Sequence, residues 1–468
     1  MRGMKPTSTI PALRQAGRNL TAPFRLQLGS LTLPQPLEIQ TIHRLLPGKR
    51  LTAKALWCGR SVLIKLFFDR FGYRRHWHRE ARGLTALRDA GIATPRILAQ
   101  AENRSAHAAV LITEYLADAH TLAELQHTPK AHAAAISATL AMLGRMHAAG
   151  LEQRDIHPGN FLWAQERIYS IDGDAITPHP APLSEAAATA NLALFLAQFP
   201  PTQSEALLAQ LGAESAINSD ALMQQLRRQR DARWCAYRRK LLRDCTEIRC
   251  ETDWQRFLAV RRDADDVPLR ELLADPDRYI AAGSLLKDGQ SSTVALVQLP
   301  GRSVVVKRYN LKNRRHRLAR CLRPSRARHS WLNAHHLALL GIATPQPLAF
   351  FERRFGPLRG TAYYVAEYVA GEALLHKLKN KVMKAVMQPV VRLFTELWRG
   401  GLSHGDMKAS NLLVHEDTLY LLDLDAMRRH TDAQRLSKAY QKDRRRFLQN
   451  WPDKSPIRRW FDANLPRM

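Results

Sequence analysis

An aspartate, an asparagine five residues on and a second aspartate twelve further recur in this 468-residue chain, as Asp155, Asn160 and Asp172 and again as Asp406, Asn411 and Asp423. A lone Asp-x4-Asn should occur about once by chance in such a length. Two copies with identical spacings, each closing in an apolar run that ends Asp-x-Asp (SIDGD and LLDLD), are not accidental. Phosphoryl transfer uses these residue types: one carboxylate orients an acceptor hydroxyl and takes its proton, while an amide oxygen and a second carboxylate hold the magnesium that neutralises ATP phosphates. Hard oxygen ligands suit that ion. A lysine on a β-branched run far upstream, Lys65 in SVLIKLFF or Lys307 in SVVVKRYN, would add a point charge for the phosphates. The competing structural roles are turns and caps for the carboxylates, and a strand residue reaching to solvent for the lysines.

These residues sit in a duplicated frame. The Lys65 run matches the Lys307 run, GIATP recurs at Gly91 and Gly341, Glu114–Leu116 recurs as Glu367–Val369, and GLEQRDIHPGNFL recurs as GLSHGDMKASNLL. The offsets are 242, 250, 253 and 251 residues, so order is kept and only small insertions intervene. The reading is an N-terminal extension over 1–37, one domain over 38–235, a charged linker or connecting helix over 236–270 and a second domain over 271–468. In each copy the first hundred residues read as strands with one helix, and the rest as helices with a few short strands. REARGLTALRDAG and SWLNAHHLALLG have helical apolar spacing. Ala131–His147 reads as a buried helix, and Pro389–Trp398 as its counterpart with proline at the first position.

Composition narrows the classes. An apolar share of 45% can build cores, and the longest apolar run, Ala186–Phe199, is shorter than the roughly 20 residues a spanning helix needs. The first twenty residues lack the apolar core of a secretory signal, so a cytosolic protein is expected. Cys58, Cys235, Cys245, Cys250 and Cys321 are scattered and never form Cys-x-x-Cys, which argues for free thiols. The net charge of +29 points to an anionic partner. No acidic residue lies between Asp288 and Glu352, and Arg308–Arg328 alone holds nine Lys or Arg; a second basic stretch is Arg227–Arg243. No aromatic-basic platform or reading helix accompanies these stretches, so nucleic acid is not the expected partner.

The Lys, Asp, Asn and Asp motifs resemble those of the protein-kinase-like superfamily, and more narrowly of the lipopolysaccharide core kinases that phosphorylate heptose or Kdo on the nascent inner core. The resemblance spans both halves and implies an α+β fold of two tandem bilobal domains, each with a β-rich N-lobe carrying one helix and a mainly helical C-lobe. It implies ATP and Mg2+ as cofactors. Lys65 would contact the phosphates and pair with Glu80, Asp155 would be the base, Asn160 and Asp172 the metal ligands, and Glu114 to Leu116 the hinge against adenine. In the second half Lys307, Asp406, Asn411 and Asp423 take the same roles with Glu367 to Val369 at the hinge, and Lys408 stands two residues after the aspartate.

Three departures stand out. The position matching Glu80 is Ser330, so the lysine-pairing glutamate is missing from the second half, with Asn333 or His335 as possible substitutes. Gln153 stands where the second half has His404. Neither half has a full Gly-x-Gly-x-x-Gly, only one glycine each at Gly48 and Gly289. From Lys307 to Gly341 the second copy is eight residues longer than the first, within its Arg-rich stretch, which is either a grip on phosphorylated sugars or a membrane face, or a solvated loop. The reading is an ATP- and Mg-dependent kinase of an inner-core sugar, with a lipopolysaccharide core intermediate or other anionic glycolipid and the inner-membrane surface as partners, peripheral on the cytoplasmic side. The alternatives are a partly or wholly inactive scaffold of lipopolysaccharide assembly, or a kinase for another small-molecule or protein acceptor. No Ala-Pro-Glu follows closely after Asp172 or Asp423 as an ordinary protein kinase would need.

Overall fold

The structure, a computed structural model, describes residues 7–27, 33, 36–214, 219–310, 321–379 and 381–467. The chain divides into two units, residues 1–198 with 217–226, and residues 199–216 with 227–468. Each unit is α+β, with one large sheet followed by a mainly helical part.

In the first unit the sheet comprises β1 (Thr7–Thr9), β2 (Phe24–Gln27), β3 (Leu37–Leu46), β4 (Arg50–Trp57), β5 (Arg60–Phe67), β6 (Ile97–Asn103) and β7 (Ala108–Glu114), in the order β1-β2-β3-β4-β5-β7-β6. Alternation along β5 buries Val62, Ile64 and Leu66 completely and turns Lys65 to the other face. A two-residue turn joins β4 to β5, with Cys58 and Gly59 both at positive φ, which matches the right-handed twist of the strands. Helix α1 (Tyr73–Asp89) follows, burying Ala81, Leu84 and Leu87 on one face. The helical part contains α2 (Pro129–Ala148) and α3 (Glu185–Leu196), and a short hairpin over 161–170.

The second unit's sheet comprises β8 (Ile248–Thr252), β9 (Arg256–Arg261), β10 (Ser284–Gly289), β11 (Ser292–Leu299), β12 (Arg302–Tyr309), β13 (Pro347–Phe355) and β14 (Leu358–Glu367), in the order β8-β9-β13-β14-β12-β11-β10. Five of its strands, in the order β10-β11-β12-β14-β13, repeat the order β3-β4-β5-β7-β6 of the first unit. The two added strands lie on opposite edges in the two units. In the first unit β1 and β2 extend the β3 edge and draw Ile10, Leu13, Phe24 and Leu26 into the sheet's core. In the second, β8 and β9 extend the β13 edge and contribute Leu258 and Val260. Stretches that read from sequence as an extension and a linker are therefore paired strands, because a sheet edge with an apolar face is covered by whatever chain lies next to it.

Helices α4 (Arg326–Leu339), α5 (Lys384–Arg399) and α6 (Ala433–Leu448) frame the second unit's site. The expected start of α5 at Pro389 is corrected: the helix begins at Lys384 and Pro389 lies inside it. Met387, Val390, Leu393, Phe394 and Leu397 form one buried face, and the packing of Met387 carries the helix upstream of the proline. Residues 311–320, which hold five of the nine Lys and Arg of the Arg-rich stretch, lie outside the described residues. All five cysteines are free thiols. Among the described residues no helix is long and apolar enough to cross a membrane.

The tightest contact in the first unit is backbone on backbone: a Cβ at Gly83 in α1 would lie 1.9 Å from the carbonyl oxygen of Gly173, and a Cβ at Gly173 would lie 2.2 Å from that of Glu80. Gly83→Ala is expected to destabilise the first unit by about 1–3 kcal/mol or more in denaturant unfolding. Gly144→Ala, on the exposed side of α2 with nothing near the added methyl, should be neutral or stabilise by about 0.5–1 kcal/mol.

Candidate active site

Glycine at 83 and 173 lets α1 approach the SIDGD segment closely enough for one side chain to reach three elements. Glu80, with no exposed surface, accepts from Lys65 Nζ on β5 at 2.5 Å and from the backbone N–H groups of Gly173 at 3.2 Å and Asp174 at 3.1 Å. Lys65 also donates to the Ile171 carbonyl at 2.9 Å and stands 3.6 Å from Asp172 Oδ1, an atom that is buried without a hydrogen-bond partner. Burial pushes the Glu80 carboxyl up against the pull of Lys65. Burial acts on Asp172 in the same sense, but Lys65, with Arg50 and Arg44 further off, holds it below the usual range. The next aspartate, Asp174, is gripped by His76 at 2.9 Å and Arg79 at 3.0 Å from α1.

The loop before this segment is organised by Gln153. Its amide reaches the Asp172 carbonyl at 3.5 Å and accepts from the Asp155 N–H at 3.3 Å. Asn160 spends its NH2 on the Asp155 carbonyl at 2.9 Å, so its Oδ1 is the atom left to meet a cation. The Asp155 side chain is exposed. A cavity of about 410 Å³ gathers Lys65, Glu114, Tyr115, Leu116, Asn160 and Asp172 on its wall. Glu80 stands behind Lys65 rather than on that wall. Arg44 and Arg50, on the strands either side of the Gly48 turn, line the cavity too.

The second unit holds the same backbone frame with different partners. His404 accepts from the Asp406 N–H at 3.4 Å, as Gln153 does from that of Asp155, and bonds the Leu422 carbonyl at 2.9 Å, one residue before the position Gln153 reaches in the first unit. Asn411 donates to the Asp406 carbonyl at 2.9 Å. Where Glu80 would be, Ser330 is buried and bonded to the Tyr309 hydroxyl at 2.7 Å. Neither Asn333 nor His335 replaces the glutamate: Asn333 donates to the Leu424 carbonyl at 2.8 Å, and His335 packs on Trp331 and Tyr237. Lys307 pairs directly with Asp423, whose backbone is left-handed at φ 59°. Burial tends to raise the Asp423 carboxyl, yet Lys307 brings it down to about 2. Glu367 and Tyr368 donate backbone N–H bonds to Gln346 at 2.9 Å and Ser303 at 3.0 Å, fixing the strand exit that leads to Val369.

Asp406 differs most from its first-unit counterpart. Arg446 of α6 donates to its Oδ1 at 2.5 Å and Lys408 reaches its Oδ2 at 3.0 Å. Burial would raise this carboxyl, but those two cations hold it below the usual range. Aligning Asn191 with Asp443 and Phe195 with Phe447, Arg446 falls on Leu194, which has no charge to offer.

Residues 53–176 and 283–457 match the model of the lipopolysaccharide kinase (Kdo/WaaP) family. The chain belongs to this family. No curated protein matches it by sequence. Among solved structures it is similar to WaaP in complex with acyl carrier protein, at 19% identity over 44% of this chain and 96% of that one, with a TM-score of 0.30. It is also similar to WbdD, at 18% over 42% and 47%, TM-score 0.30, so it spans about half of that protein's length. The kinase domain of PknI from Mycobacterium tuberculosis follows at 17% over 34% and 71%, TM-score 0.25.

As a member of the lipopolysaccharide kinase family, the chain is an ATP-dependent kinase with a protein-kinase-like fold. Sequence reasoning missed four residues around the site. Arg44 and Arg50 had a signal in the basic residues flanking a single-glycine turn. Asp443, nearly fully buried, accepts from the N–H groups of His404 at 2.6 Å and Gly405 at 2.9 Å, and had no signal beyond an aspartate inside a helix. Arg446 was one of three successive arginines. In titrations with a fluorescent ATP analogue, Arg44→Ala and Arg50→Ala are each expected to weaken binding by about tenfold to a hundredfold, the worth of one charge-assisted contact, and Lys65→Met by at least as much. Arg60→Ala, outside the cavity, should bind as wild type.

Proposed function

We propose that the first unit transfers the terminal phosphoryl group of ATP to a hydroxyl of heptose or Kdo in the lipopolysaccharide inner core, at the cytoplasmic face of the inner membrane. The observation that carries this reading is the cavity that gathers Lys65, Glu114 to Leu116, Asn160 and Asp172 beside an exposed Asp155. Backbone groups of Glu114 to Leu116 meet adenine. Lys65, kept in place by Glu80, meets the phosphates, and Arg44 and Arg50 cover them with side-chain charge in place of a glycine-rich loop. The unbonded Asp172 Oδ1 and the Asn160 Oδ1 are hard donors that fit Mg2+, which when bound supplies charge neutralisation of the phosphates. Asp155 orients the acceptor hydroxyl and takes its proton as the new P–O bond forms and ADP leaves. The family match supports lipopolysaccharide as the acceptor class, and the charge of +29 supports an anionic glycolipid on an anionic membrane surface.

A different reading suits the second unit. Lys307, Asp406, Asn411, Asp423 and Glu367 to Val369 keep the frame of a transferase, but both Asp406 oxygens are engaged by Arg446 and Lys408 and Lys307 is engaged by Asp423. A base whose pKa is lowered accepts a proton less readily. This supports a unit that binds without transferring, so that the scaffold role belongs to one half of an active enzyme.

Mass spectrometry of core oligosaccharide from a deletion strain tests the assignment. One phosphate per core is expected to be lost, restored by wild type and by Asp423→Asn, and not by Asp172→Asn. Restoration by Asp172→Asn alone would move the reaction to the second unit, and unchanged phosphate in every strain would remove the core-kinase reading.

A further inference from the structure

We propose that two joined hairpin tips of the second unit's sheet dock the protein on an anionic phospholipid bilayer, an inference that rests on the acceptor being a membrane glycolipid. The β8–β9 tip presents Trp254, 63% exposed, and the β13–β14 tip presents Phe355, 67% exposed, and Leu358, 41% exposed. Neither tip is loose. The Gly356 N–H donates to the Trp254 carbonyl at 2.8 Å and the Arg354 N–H to that of Gln255 at 2.6 Å, while the two rings meet edge to face at 5.7 Å. Gly356 sits at φ +57°, and a Cβ there would stand 2.9 Å from the Trp254 ring, so glycine both makes the turn and admits the indole. Arg359 adds a third segment: its N–H donates to the Cys321 carbonyl at 2.7 Å and its guanidinium to that of Leu322 at 2.9 Å, tying Leu322, 68% exposed, to the start of β14.

Single exposed apolar side chains are ordinary, but two fixed aromatic rings and two leucines gathered on tied segments mark a contact surface. Large aromatic side chains on rigid turns suit the headgroup boundary of a bilayer, where one part of the ring is wet and the rest is not. The charges around them fit anionic lipid. Arg323 is exposed beside Leu322, while Arg256 and Arg353, which flank the tips, pair with Asp253 and Asp277, each at 3.1 Å. The acidic residue on the β8–β9 tip, Asp253, is answered by Arg256 at 3.1 Å. In sequence Leu322 lies within the acid-free, Arg-rich run, with Arg320 and Arg323 on either side.

Co-sedimentation of the full chain with phosphatidylethanolamine/phosphatidylglycerol vesicles tests the surface, with phosphatidylcholine vesicles for comparison. Wild type should bind the anionic vesicles, more weakly as salt rises, and the Trp254→Ser/Phe355→Ser pair should lower partitioning by about tenfold or more. Leu322→Ser, an exposed single change, should lower it by a smaller factor and guards against a folding artefact in the pair. Phosphate transfer to a delipidated core oligosaccharide should be unchanged in both variants, while transfer to vesicle-embedded lipopolysaccharide falls with binding. Wild type that ignores vesicles, or variants that bind as wild type does, would overturn the surface and leave the kinase reading intact. Failure of wild type to phosphorylate either acceptor removes the kinase reading, and the vesicle measurement still decides the surface.

Discussion

A carboxylate with no exposed surface costs several kcal/mol unless its oxygens are met by donors, and in the first unit Glu80 meets this demand with donors from two other elements. Lys65 comes from the sheet, and the N–H groups of Gly173 and Asp174 come from the segment that carries Asp172. Glu80 is separated from its donors by up to 94 residues in sequence, so this one side chain sets where the three elements stand relative to each other. The glycines at 83 and 173 follow from it, because any side chain at either position would hold the helix off the segment and leave Glu80 short of its donors. The arrangement of Lys65 and Asp172 along the cavity is a consequence of the same constraint.

In the second unit the constraint is removed and the neighbourhood changes together. With Ser330 at the glutamate position, the Tyr309 hydroxyl has a buried partner. Gly83 and Gly173 align with Asn333 and Leu424, and the gap between helix and segment is bridged by the Asn333 side chain bonding the Leu424 carbonyl. Lys307, without a glutamate, turns to Asp423, which takes a left-handed backbone that aspartate tolerates better than most residues. The grip on the second aspartate of the Asp-x-Asp survives with altered chemistry: His76 on Asp174 becomes Arg326 on Asp425.

Much of this was legible in the sequence because it is local or duplicated. The strands carrying Lys65 and Lys307 are runs of β-branched residues, and their alternation needs no tertiary information. Asn160 and Asp172 followed from motif spacing, the pairing of Lys65 with Glu80 from the family resemblance, and the absence of a glutamate at Ser330 from counting along the repeat. What escaped depends on contacts that spacing does not encode. Strands β1, β2, β8 and β9 were read as extension and linker because an edge strand is defined by the neighbour it pairs with. Pro389 was read as a helix start because local propensity favours that position, whereas the buried face from Met387 to Leu397 outweighs one missing hydrogen bond. Gln153 looked like a departure from His404, yet an amide and an imidazole both offer one donor and one acceptor, and the loop needs only those.

The two catalytic-loop aspartates are anchored by side chains of opposite polarity. Asn191 donates to the Gln153 carbonyl at 2.7 Å, whereas Asp443 accepts from two successive N–H groups of the corresponding loop. A buried carboxylate there, pushed up by burial and eased by those N–H groups, places negative charge beneath the loop. Three arginines and a lysine on α6 lie within three residues of it in sequence. One of those arginines, Arg446, reaches over to Asp406. In the first unit the anchor is a neutral amide, the aligned position is Leu194, and Asp155 stays exposed. The difference between a free carboxylate and an engaged one thus traces to Arg446 on the neighbouring helix and to Lys408, which stands where the first half has His157, rather than to the aspartate itself.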